Sequence, residues 1–149
     1  MESIVNKYAR SKYEMLESFE AGLVLTGAEV KSVKKGAVNL KSAYIGIEQG
    51  ELWLKNMHIS PYQQANQPGY EPERPRKILL RRSEIATLMG KLQQEGLTLI
   101  PEKVYSKHGI VKVNVTLARG LKLHDKRQKI KKRDTERQMQ RMMKQKMHS

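Results

Sequence analysis

The chain has 149 residues, with 29 Lys and Arg against 15 Asp and Glu, and its net charge of +14 calls for a polyanionic partner. Aromatic residues make up 5%, too few for a platform that stacks one base after another, so the charge points to phosphates. Cysteine is absent, which excludes disulfides, thiolate metal sites and redox chemistry; no apolar leader or run of about 18 apolar residues occurs, so a cytoplasmic protein is expected.

Taken in chain order, the first regular element is a short helix over Gly27 to Lys35. Ala28, Val30 and Val33 are its sparse anchors, and Lys31, Lys34 and Lys35 project as a basic patch suited to phosphate contact. Next comes a hairpin: Ala43, Ile45 and Ile47 alternate with Tyr44, Gly46 and Glu48, Gln49-Gly50 supplies the turn, and Leu52 and Leu54 resume the alternation. Ser60 to Arg76 holds four of the five prolines and is expected to be a long loop, with Arg74, Arg76 and Lys77 at its end as further cations for phosphate. Leu79 and Leu80 read as strand residues engaged in packing.

A second helix follows. Ser83 is placed to cap it, Ile85, Leu88, Met89 and Leu92 form its apolar stripe, and Gly96 ends it. A second hairpin turns at Lys107-His108-Gly109, after which Val111, Val113, Val115 and Leu117 face one way and Lys112, Asn114 and Thr116 the other. Several short antiparallel strands with a helix between the early and late ones predict a mainly β fold, a small Greek-key barrel of the oligonucleotide-binding type with short helices.

Composition changes at Gly120, the last glycine. The segment from there to Ser149 carries eleven Lys and Arg against three Asp and Glu, with no Gly or Pro beyond Gly120 itself. The chain is therefore divided into a barrel domain, 1–119, and a basic C-terminal tail, 120–149. Met139, Met142, Met143 and Met147 fall on one helical arc, but like charges four apart, such as Lys129 with Arg133, disfavour an isolated helix. The tail is expected to be disordered when free and helical when an RNA channel neutralises it.

Chemistry beyond binding finds no support. The four histidines lack metal-ligand spacing, no glycine-rich loop would cradle a nucleotide, and no carboxylate cluster suggests nuclease chemistry, so neither enzyme, metal nor cofactor is expected. Charge and tail alone fit two classes equally: a carrier of one particular RNA, or a ribosomal protein with a basic extension. A membrane-surface helix would need bulkier apolar anchors than Met.

Ordered motifs favour the first class. Asn6-Lys7, Ala9-Arg10, Tyr13, Phe19-Glu20-Ala21-Gly22, Thr26-Gly27-Ala28-Glu29-Val30-Lys31-Ser32, Asn39-Leu40, Ile59-Ser60-Pro61-Tyr62 and Arg76-Lys77-Ile78-Leu79-Leu80, with Gly120 and Asp125-Lys126-Arg127, run in the order found in the SmpB, or SsrA-binding, protein family. The chain resembles that family from about Asn6 onward. Ser11 stands where related sequences commonly have His, and Leu121 where they have a basic residue.

The resemblance implies a protein that binds the transfer-RNA-like domain of transfer-messenger RNA and delivers it to stalled ribosomes for trans-translation. The ribosome and elongation factor Tu with the charged RNA would be its partners. On this reading Lys7, Arg10, Lys31, Lys34, Lys35, Arg74, Arg76 and Lys77 contact RNA, and Glu20 accepts hydrogen bonds from base edges or a ribose 2′-hydroxyl, donors that cations cannot select. Gly120, Lys122, His124, Asp125, Lys126 and Arg127 would contact the ribosome.

Overall fold

The computed structural model describes residues 3–63, 67–94, 96–121 and 137; the predicted tail contacts Lys122, His124, Asp125, Lys126 and Arg127, and the Met stripe, lie outside them. Nine strands and three helices are formed among the described residues: β1 (Ile4–Val5), α1 (Lys7–Lys12), β2 (Tyr13–Leu23), α2 (Gly27–Lys34), β3 (Val38–Asn39), β4 (Tyr44–Glu48), β5 (Glu51–Lys55), β6 (His58–Ile59), β7 (Arg76–Leu79), α3 (Arg82–Leu92), β8 (Leu97–Lys107) and β9 (Ile110–Gly120). Seven strands join in the order β1-β8-β9-β2-β7-β5-β4, and β3 pairs with β6 apart from them. Every pairing is antiparallel.

The fold is mainly β, of the oligonucleotide-binding type, as predicted. The barrel is not closed by hydrogen bonds, however: β4 lies against β8 across the curl of the sheet, yet β1 and β4 remain its edges. Long β2 joins the two halves. It pairs with β9 from Tyr13 to Gly22 and passes to β7 at Gly22 and Leu23.

Period-two alternation sets which side chains enter the core. Ala21, Val104, Val113 and Val115 are buried, together with Leu52 and Leu54 of β5 and Ile78 of β7. Each fully buried aliphatic side chain contributes roughly 1.5–3 kcal/mol relative to exposure. Leu88 of α3 plugs this core, with Met89 and Leu92 packed beside it. Residues one step out of phase, among them Glu20, Tyr105, Lys112 and Asn114, are left on the outer face.

Both hairpins turn on two residues at positive φ, Gln49 (52°) with Gly50 (75°) and His108 (51°) with Gly109 (76°), the twist that matches paired strands. Lys107 therefore belongs to β8 and not to the turn. The cap of α3 also differs from expectation: Arg81 is the N-cap residue, without a side-chain bond, and Ser83 lies inside the helix. α2 begins with a reciprocal capping box, Thr26 accepting from the Glu29 amide while Glu29 accepts from the Thr26 amide.

A bulge at Glu102, beside a proline that has no amide hydrogen to give the ladder, separates the Pro101 and Lys103 pairings of β8. It also serves as a dock. Asn6 donates its backbone N–H to Glu102 O (2.8 Å) and its side-chain amide to Pro101 O (3.1 Å), fixing the start of α1 against the sheet.

A candidate nucleic-acid interface

On the outer face of β2, β9 and β8, register brings polar residues into rows. Glu20 lies opposite Asn114, and Asn114 opposite Lys103. In the neighbouring row the Glu102 carboxylate accepts from Thr116 (2.8 Å), Ser18 (3.2 Å) and Arg10 (3.2 Å), so it is committed inside the protein.

Glu20 is held differently. The Tyr105 hydroxyl donates a short hydrogen bond to one carboxylate oxygen, and the Lys107 ammonium lies 3.4 Å from the other. The same hydroxyl is 3.0 Å from Asn114 Oδ1. A phenol has one proton, and the charged carboxylate is the stronger of its two acceptors, so the hydroxyl donates chiefly to Glu20 with Asn114 beside it. The Tyr105 bond, aided by Lys107 and Lys112, holds the Glu20 carboxyl below the ordinary carboxylate range. Burial, followed by the adjacent carboxylate, pushes the Tyr105 phenol far up, so it remains a donor.

Beside Glu20 opens a cleft of about 600 Å³, lined also by Gly22, Leu79, Leu80, Arg81, Glu84 and Lys112. Leu79 is half exposed, whereas its neighbour Ile78 is buried. An exposed apolar side chain, an ionised acceptor and neighbouring cations together suit a nucleotide: a base against Leu79, a donor edge on Glu20, phosphate near Arg81 or Lys112.

A second basic surface is built by α2. Lys31, Lys34 and Lys35 are all exposed, and the Lys31 and Lys35 ammonium groups stand 5.5 and 4.8 Å from the centre of the Tyr62 ring in the Pro-rich loop. Behind this helix, Glu29 is buried and collects donors: the Thr26 amide at 3.0 Å, Arg76 Nε at 2.9 Å, the Tyr70 hydroxyl at 3.2 Å and the Arg74 guanidinium. Burial pushes its carboxyl up, but the hydrogen bonds from Arg74, Thr26 and Arg76 outweigh it and the net shift is downward. The loop is thereby fastened to α2.

Comparison with known proteins decides the family. The profile described as SmpB protein matches residues 3–145. The chain belongs to the SmpB family. The SsrA-binding protein of Nostoc sp. (strain PCC 7120) is 54% identical over 140 residues, covering 93% of this chain and 90% of that one. That of Desulforudis audaxviator is 54% identical over 136 residues, covering 91% and 89%. A solved structure described as "tmRNA-SmpB: a journey to the center of the bacterial ribosome" superposes with a TM-score of 0.68 at 41% identity, covering 86% of this chain and 94% of that one.

In this SmpB-family chain the sequence-predicted residues do not form one patch. Lys7 and Arg10 line a cleft with Ser11 on α1, Arg10 being paired to Glu102 with its side chain 46% exposed. Arg74 is half-buried against Glu29. Lys77 pairs with Glu51 at 3.1 Å at the surface, and Gly120 closes β9 opposite Tyr13.

Arg76 is a correction. Its side chain is 0% exposed, held by Glu29 (2.9 and 2.5 Å), Met57 O, Pro72 O and the Tyr70 hydroxyl, so it braces the fold and presents nothing to RNA. Conversely, the cations that line the Glu20 cleft, Arg81 and Lys112, were absent from the predicted site, as were Leu79 and Tyr105. Strand parity held the signal: Ile78 inward places Leu79 outward, and Val104 inward places Tyr105 outward.

Proposed function

We propose that this chain is a non-enzymatic carrier that binds the transfer-RNA-like domain of transfer-messenger RNA and brings it to stalled ribosomes in the cytoplasm for trans-translation. The observation that carries the reading is the ionised Glu20 carboxylate, oriented by Tyr105 in a cleft lined also by Arg81 and Lys112. A surface built only to attract phosphate gains nothing from a carboxylate there; one built to select an RNA gains an acceptor for base or 2′-hydroxyl donors. Membership of the SmpB family and the likeness to the ribosome-associated structure support it.

Phosphate contacts from Lys7, Arg10, Lys31, Lys34, Lys35, Arg74 and Lys77, all exposed or half-exposed, supply the salt-dependent part of binding. The tail from Gly120 onward, with Lys122, His124, Asp125, Lys126 and Arg127, engages the ribosome, and elongation factor Tu accompanies the charged RNA. The test replaces Glu20 with Lys and sequences the RNA recovered with the full chain from cells. Glu20→Lys is expected to retain RNA but lose its preference for transfer-messenger RNA. If the variant binds that RNA better and stays selective, Glu20 is a surface acid; if the parent recovers ribosomal RNA at the stoichiometry of a ribosomal protein, the carrier reading falls.

A further inference from the structure

We infer that Tyr105, braced by Asn114, is the positioning residue of the RNA site: its hydroxyl holds one oxygen of the Glu20 carboxylate and so fixes the orientation of the acceptor that lines the cleft. The inference rests on the Glu20 reading above and deepens it.

A carboxylate on an outer strand face needs such a device. The Glu20 side chain is 39% exposed, and a long, exposed side chain that must be ordered at the moment of binding weakens the complex by its lost rotamer freedom. Cations could order it only by neutralising it. Lys107 already stands at 3.4 Å, Lys112 lines the same cleft, and an ion pair with a flexible ammonium fixes no direction. A phenol hydroxyl does fix one, and it leaves the negative charge in place for an RNA donor.

Tyr105 is itself held. Its ring is half-buried, the Lys103 ammonium lies 5.3 Å from the ring centre, and Asn114 occupies the hydroxyl's other side at 3.0 Å. The chain of contacts crosses three strands, β8 to β9 to β2, so the sheet's register sets where the acceptor points.

The test compares the parent with Tyr105→Phe, Glu20→Gln and the double variant, all as full chains. Affinity is measured for a transcript of the transfer-RNA-like domain and for an unrelated folded RNA of equal length, over salt and over pH. Tyr105→Phe is expected to weaken the cognate RNA about tenfold, the size that a hydrogen bond to a charged group supports. The unrelated RNA should be unaffected, and the salt slope unchanged because every phosphate-binding cation is kept.

Removing the bond that depresses the Glu20 carboxyl should also move the acid limb of cognate binding to higher pH. The other charges facing Glu20, Lys103 and Lys107 on β8, Lys112 on β9, and Arg81 and Glu84 at α3, are the same in both proteins and cancel in the comparison. In the Glu20→Gln background, Tyr105→Phe should add less than about a twofold change. Full additivity, or cognate affinity equal to the parent when Glu20→Gln alone is weak, overturns the inference; no loss on Glu20→Gln overturns the site reading beneath it. Should Tyr105→Phe melt early, Asn114→Ala removes only the brace. Its expected loss is about threefold for the cognate RNA alone, and a change of equal size for both RNAs counts against positioning.

Discussion

The Glu29 network makes a sharp demand on stability. Glu29→Gln keeps the shape of the side chain but leaves the guanidinium of Arg76, 0% exposed, without its counter-charge; the Met57 and Pro72 carbonyls and the Tyr70 hydroxyl remain its partners. Breaking a buried pair by neutralising one member costs about 3–5 kcal/mol. At roughly 2–4 °C per kcal/mol for a chain of this size, the melting temperature should fall by about 10–15 °C.

Circular dichroism melts and urea titrations measure it. Glu29→Gln combined with Arg76→Met, which removes both charges, should recover much of the loss. The pH dependence has a definite sign: because Glu29 is depressed in the folded protein, its contribution is complete above the unfolded carboxylate value of about 4.3 and is lost as pH falls through the lower folded value. The parent should therefore lose an acid-sensitive increment that Glu29→Gln lacks from the start. A loss under about 1 kcal/mol, or a double variant weaker than Glu29→Gln alone, would refute the claim that Arg76 is a buried brace.

Three further outcomes are expected. If about four phosphates are neutralised, the log–log slope of RNA affinity against salt is about −3 to −4, and a salt-independent affinity would contradict phosphate binding. Replacing Lys31, Lys34 and Lys35 with Gln should make that slope shallower by about 1 for each phosphate no longer neutralised, weakening all RNAs alike, which filter binding at several salt concentrations reads directly. A chain ending after Leu121, whose amide donates to Lys12 O at 2.8 Å, should keep the β2–β9 pairing, fold, and bind the transfer-RNA-like domain with near-full affinity while failing to support peptide tagging on stalled ribosomes. Surviving tagging, or collapse of RNA binding, would contradict that division of labour.

The sequence displayed the elements whose signals are local. The two hairpins were visible because alternation and a glycine turn coincide over adjacent residues, and α3 because Leu88, Met89 and Leu92 share a helical face. It hid those settled by distant partners. α1, six residues long and with Ala9 as its buried residue, stands where Asn6 is tied to Pro101 and Glu102 at the far side of the chain. The sheet's open closure depends on which strand meets which, a property that no window of sequence contains.

The site was legible in its chemistry but not in its partition. Glu20 and Glu29 are carboxylates nine residues apart, each inside a family-like motif, and the structure gives them opposite duties. Glu29 faces inward from a capped helix, so its charge must be matched in full, and Arg76 is drawn out of the predicted interface to match it while Arg74 pairs with it from the half-exposed side. Glu20 faces outward from a strand, where water relieves the need for a counter-charge and a neutral phenol can orient it instead. A positive charge predicted from composition is thus divided by burial: the arginine that the fold needs is lost to RNA, and the cations that remain available include Lys112, which strand parity turns outward on β9, and Arg81 at the start of α3, both lining the cleft beside Glu20.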